Sequence, residues 1–109
     1  MAGGESLRGK KLAVLVAAGP EQSGFRHGAL LAQAALARGV DVYLYCIDDA
    51  VAGVADPLLH GPAAAGLKLF ACAESAQRRR LPMTAHATYA GLALLSNLIA
   101  ATDRFVAFG

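Results

Sequence analysis

Residues 12–18, Leu-Ala-Val-Leu-Val-Ala-Ala, form a nearly continuous apolar run that stops at Gly19-Pro20. A strand with one wet face alternates apolar and polar residues, so an unbroken run predicts a strand covered on both faces, as in parallel sheets. Parallel neighbours need long crossovers, and the next segment is a helical one. After Ser23, a candidate cap, Phe25, Leu30, Leu31, Ala34 and Ala35 recur at helical spacing up to Gly39, a C-terminal stop. Residues 40–47, rich in β-branched and aromatic side chains, predict a second strand, with Asp48-Asp49 capping a short helix over residues 50–55.

Asp56-Pro57 and His60-Gly61-Pro62 contain helix breakers and predict an irregular, mobile loop. Residues 67–72 predict a third strand, followed by a short helix over about residues 74–80 that ends before Leu81-Pro82. Thr84 is a candidate cap for the longest helix, in which Leu92, Leu95, Leu98 and Ile99 share a face, and residues 104–108 read as a terminal strand. The alternation predicts a three-layer α/β/α sandwich with a mainly parallel, doubly wound sheet. It is expected as one domain over residues 1–109, with residues 1–10 as a polar N-terminal extension.

The chain is 56% hydrophobic and 17% charged, so its apolar surplus must fill a core, a subunit interface or both, and an oligomer is expected. A net charge of +2 with scattered basic residues argues against a nucleic-acid surface, since only Arg78, Arg79 and Arg80 cluster. No apolar run is long enough to span a bilayer and no secretion signal is evident, so a cytoplasmic location is expected, with Cys46 and Cys72 as free thiols.

Most candidate chemistries fail on their residues. The loop over residues 19–24 follows a strand, precedes a helix and has G-x-x-x-x-G spacing, but Phe25 and Arg26 stand where a phosphate loop needs Lys and then Ser or Thr. His27, His60 and His86 have no spacing that converges on a metal, so neither metal nor cofactor is expected. No G-x-S-x-G elbow is present for hydrolysis. Asp48 and Asp49 have the simpler reading of a helix cap. Cys46 lies inside an apolar run and reads as a small core residue.

Cys72 differs because a strand ends with it and a helix begins beside it, where backbone amides stabilise a thiolate or a persulfide anion. Glu74 works against that charge, which predicts a modest lowering of the thiol pKa, and the arginine run is expected on the solvated side. The segment Cys72-Ala-Glu-Ser-Ala-Gln-Arg-Arg-Arg resembles the Cys-x-x-x-Ala-x-Arg-Arg-Gly segment of the DsrE/DsrF-like sulfur-relay proteins, including TusD. Residues 91–95, Gly-Leu-Ala-Leu-Leu, and the ending Asp103-Arg104-Phe105-Val106-Ala107-Phe108-Gly109 are similar to that family's closing helix and terminal strand. The family's glycine after the arginine pair is Arg80 here, and Glu74 occupies a position that is often small.

The resemblance implies a small α/β/α domain that assembles into trimers or hexamers, alone or with homologous subunits. It also implies sulfur carried as a persulfide on Cys72 between donor and acceptor proteins, with no nucleic acid or membrane partner. Such exchange calls for a half-exposed thiol of pKa near ambient pH. Some relatives lack the cysteine, so the alternative is a non-catalytic structural subunit of a DsrE-like oligomer.

Overall fold

A computed structural model describes residues 6–109, so residues 1–5 of the expected N-terminal extension lie outside it. Five parallel strands, β1 (Lys11–Val16), β2 (Asp41–Cys46), β3 (Lys68–Cys72), β4 (Thr88–Ala90) and β5 (Arg104–Phe108), lie in the order β4-β3-β2-β1-β5. After Lys11 the first apolar run supplies β1, which pairs with β2 and β5 along its two edges and is covered by helices on its faces, which is why residues 12–16 are all apolar. The sheet is entirely parallel, and the architecture is the expected three-layer α/β/α sandwich.

Helix α1 (Ser23–Ala37) packs on the face of Val14 and Val16. Gly28 permits that approach, because a Cβ there would stand 2.7 Å from Val16 Cγ2. Helix α4 (Leu92–Ala101) leads from β4 at one edge to β5 beyond β1, opposite in direction to the earlier crossovers. Right-handed connection therefore puts it on the other face. Its packed stripe is Leu94, Leu95 and Leu98, whereas Leu92 and Ile99, expected on the same face, are exposed.

Two segments correct the sequence reading, one before β3 and one before α4. Residues 57–62 are helical: a 3₁₀ turn at Pro57–Leu59 runs into α2 (His60–Ala64), with Leu59 and Pro62 buried. Asp56 Oδ1 accepts the Leu58 amide at 2.9 Å, and Pro57 sits at the start of the turn. Pro62 falls in the first turn of α2, where a missing N–H removes no intrahelical bond. Nor does Thr84 cap a long helix. Its hydroxyl accepts the His86 amide at 3.3 Å in a local turn, β4 intervenes, and α1 is the longest helix.

Asp48-Asp49 opens a 3₁₀ helix (Asp48–Gly53) without a side-chain cap bond. Asp48 instead has a left-handed backbone, φ 53°, a conformation that aspartate tolerates better than most residues.

Helix α3 (Ala73–Arg78) ends in a Schellman turn: Arg80 N–H donates to Gln77 O at 3.1 Å and Leu81 N–H to Ala76 O at 2.9 Å. The residue at the turn, Arg80, has φ 54°, whereas α1 and α2 end in the same way on Gly39 (φ 81°) and Gly66 (φ 103°). Arg80 thus keeps the glycine-type backbone without the glycine. The left-handed penalty for a side chain is about 1–2 kcal/mol and glycine's extra unfolded entropy offsets roughly 0.5–1 kcal/mol. Arg80→Gly should therefore stabilise the fold by about 0.5–1 kcal/mol, read as a rise of a few degrees in Tm; an unchanged or lower Tm would show that the Arg80 side chain makes an offsetting contact.

Candidate functional site

The carboxyl ends of β2, β3 and β4 bring one cluster together. Tyr45 pairs in register with Phe70, and Phe70 and Cys72 are two residues apart on β3, so Tyr45 and Cys72 share a sheet face. Cys72 in turn pairs with Ala90 at the end of β4. Tyr45, the bulkiest fully buried side chain, reaches across and donates its hydroxyl to Ala90 O at 3.1 Å.

Cys72 is also the N-cap of α3. Its Sγ accepts the Ser75 amide at 3.4 Å, the place an Asp or Ser oxygen takes in an ordinary cap. Ser75 faces two ways, since its Oγ accepts the Asp48 amide at 3.0 Å while its own amide donates to the Cys72 sulfur. Burial pushes the Cys72 thiol pKa up. Hydrogen bonds to the sulfur from the Ser75 hydroxyl and amide, the Tyr45 hydroxyl and the Glu74 amide outweigh it, and the net shift is downward.

Glu74 therefore acts through its backbone. Its carboxylate points outward to Arg78 at 3.6 Å, with both side chains at least 70% exposed, and has no part in the shift at the sulfur. The arginines do not all lie on the solvated side. Arg79 folds back, donating to Asp49 Oδ1 from Nη2 at 2.9 Å and from Nε at 3.2 Å, and to Ser75 O at 3.3 Å. It ties the turn after β2 to the helix that Cys72 caps.

The expected half-exposed thiol is not what the chain builds. Cys72 is 3% exposed. Cys46, one strand away on the opposite face, is fully buried, and burial pushes its pKa up to about 12.

The 19–24 loop closes on itself. Gly19 N–H donates to Gln22 Oε1 and Gln22 N–H to Gly19 O, both at 2.9 Å, while a Cβ on Gly24 would stand 2.7 Å from Gly109 O. No group of three His, Cys, Asp or Glu side chains among the described residues is placed to hold a metal. No helix among them is long and apolar enough to cross a membrane. Tyr45, Ser75 and Arg79 are the site residues that sequence reasoning missed. Alternation along residues 40–47 could have placed Tyr45 on one face, but nothing local showed that this face holds Cys72.

The chain is thus a doubly wound α/β/α protein with a hydrogen-bonded cysteine at the carboxyl end of β3. It is similar in structure to the YchN protein from E. coli, with a TM-score of 0.78 over 92% of this chain and 99% of that one, at 18% sequence identity. No family model matches the sequence, and no curated protein matches it by sequence.

Proposed function

We propose that this protein carries sulfur as a persulfide on Cys72 and passes it to a thiol of a partner protein. The observation that carries the reading is the place of the sulfur at the N-cap of α3, where it accepts the Ser75 amide at 3.4 Å and polar neighbours lower its pKa against burial, which favours its anion. The resemblance of residues 72–80 to the sulfur-relay segment supports it, and the α/β/α fold is the one that resemblance implies. In loading, the Cys72 thiolate bonds to the outer sulfur of a donor perthiol. The old S–S bond breaks with its electron pair leaving on the donor thiolate, and the proton stays on the transferred sulfur. Release repeats the exchange with the acceptor thiolate attacking, so no external oxidant or reductant is consumed. A cytoplasmic location, where thiols stay reduced, belongs to the same reading.

Incubation with a cysteine desulfurase and cysteine should add the mass of one sulfur atom to the Cys72 peptide. The adduct should vanish in Cys72→Ser and persist in Cys46→Ala. Absence of the adduct, or its persistence in Cys72→Ser, would sink the proposal.

A second reading, an assembly subunit without transfer activity, is favoured by the 3% exposure of Cys72 together with the exposed apolar side chains Leu92, Ile99 and Phe105. It predicts a homo- or hetero-oligomer in which Cys72 stays inaccessible to small alkylating reagents.

A further inference from the structure

We propose that the Tyr45 hydroxyl is a two-position hydrogen-bond donor, turning from the Ala90 carbonyl to the Cys72 sulfur when that sulfur is an anion, and so easing its departure as a leaving group. The inference rests on the persulfide reading. Tyr45 is buried, shares the sheet face of Cys72 and has one hydroxyl proton. That proton is held by Ala90 O at 3.1 Å, and Ala90 is the register partner of Cys72, so the sulfur on the same face is the neighbouring acceptor to which the hydroxyl can turn. It cannot serve both at full strength, and the better acceptor depends on charge. A thiolate outbids a neutral carbonyl, whereas the carbonyl outbids a thiol or the inner sulfur of a persulfide.

Burial, and then the neighbouring sulfur, push the Tyr45 phenol above its ordinary range. Tyr45 therefore keeps its proton and acts by hydrogen bonding, not by proton transfer. The effect is felt at the step where charge appears on the Cys72 sulfur. When an acceptor thiolate takes the outer sulfur, the S–S bond breaks with its electron pair on Cys72 Sγ, and the hydroxyl turns to that charge. A leaving thiolate of lower pKa departs faster, and the same stabilisation makes it a weaker attacking nucleophile. Tyr45 thus biases Cys72 toward giving sulfur up.

Tyr45→Phe removes the donor and keeps the ring. Glu74 and Arg78 on α3, Arg79 at its C-cap, and Asp48 and Asp49 on the turn after β2 are the charged groups of the elements that flank the sulfur, and all are unchanged. The pH profile of haloacetamide alkylation, read on the Cys72 peptide by mass spectrometry, should show its inflection about one pH unit higher in the variant. Because nucleophilicity rises as thiolate fraction falls, the profiles should cross: the variant about threefold slower below both inflections and about threefold faster above them. A packing defect would speed or slow labelling at every pH without a crossing. Superimposed profiles would overturn the proposal.

If Tyr45→Phe does not fold, uniform incorporation of 3-fluorotyrosine, a stronger donor, should lower the inflection, and an unmoved inflection would overturn the proposal equally. Alkylation requires no sulfur transfer. A crossing profile without persulfide loading would therefore remove the carrier reading alone, and loading without a crossing would remove the role of Tyr45 alone.

Discussion

Brief alkylation of the folded protein at neutral pH should place its label on Cys72 and leave Cys46 unmodified. The two thiols lie on adjacent strands and on opposite sheet faces, so the same fold gives them opposite environments. Cys46 is 0% exposed among apolar side chains and its pKa is pushed up to about 12, which leaves a thiolate fraction of roughly 10⁻⁵ at neutral pH. Cys72 has its pKa lowered by hydrogen bonding at its sulfur, so its thiolate fraction lies above that of the same thiol without those donors. Ionisation alone then separates the two by about a thousandfold or more. The direction with pH is set by the same shifts: Cys72 labelling should rise through an inflection below that of a free cysteine, while Cys46 should be labelled only when the protein unfolds. Equal rates for the two would mean that one global opening exposes both, and that the surroundings of Cys72 do not yield on their own.

Phe25→Ala should cost about 3–5 kcal/mol, a large share of the roughly 5–15 kcal/mol that stabilises a domain of this kind. Phe25 is buried at the start of α1, and its ring lies so close on Gly53 that a Cβ there would stand 2.4 Å from one ring atom and 2.6 Å from another. Pro20 closes the same pocket, 2.9 Å from that position. The ring therefore wedges the helix that covers β1 against the 3₁₀ turn Asp48–Gly53, whose first residues bond to Ser75 and Arg79. Truncating it leaves a cavity at a junction of three segments, where collapse would have to move the turn that borders Cys72. Denaturant unfolding should show the midpoint falling with little change in slope. A loss below about 1 kcal/mol would mean that the turn closes the gap without it.

Much of the scaffold is legible in local sequence because its signals are local. An unbroken apolar run at residues 12–18 can be buried only between two covered faces, and it supplies an interior strand of a parallel sheet. Gly39 ends α1 at φ 81°, since only glycine takes that backbone without penalty. Cys72 could be placed at a strand-to-helix corner because both flanking elements show in their own residues. Hidden features are those whose cause lies elsewhere in the chain. Strand β4 is three residues long, too short for any periodicity, and exists through its pairing with β3. Residues 60–64 contain a glycine and a proline, yet they form a helix because Pro62 falls in its first turn and is buried.

The composition of the site divides in the same way. Sequence alone determined the strand that delivers Cys72 and the amides at the helix it caps, because those groups are neighbours along the chain. Tertiary structure alone decided that the Tyr45 hydroxyl arrives from β2, that Ser75 meets the Asp48 amide and that Arg79 ties down Asp49. It alone sent the Glu74 carboxylate outward and left Cys72 at 3% exposure. Side-chain direction and cover depend on which strands become neighbours, and that is settled by the packing of the whole sheet.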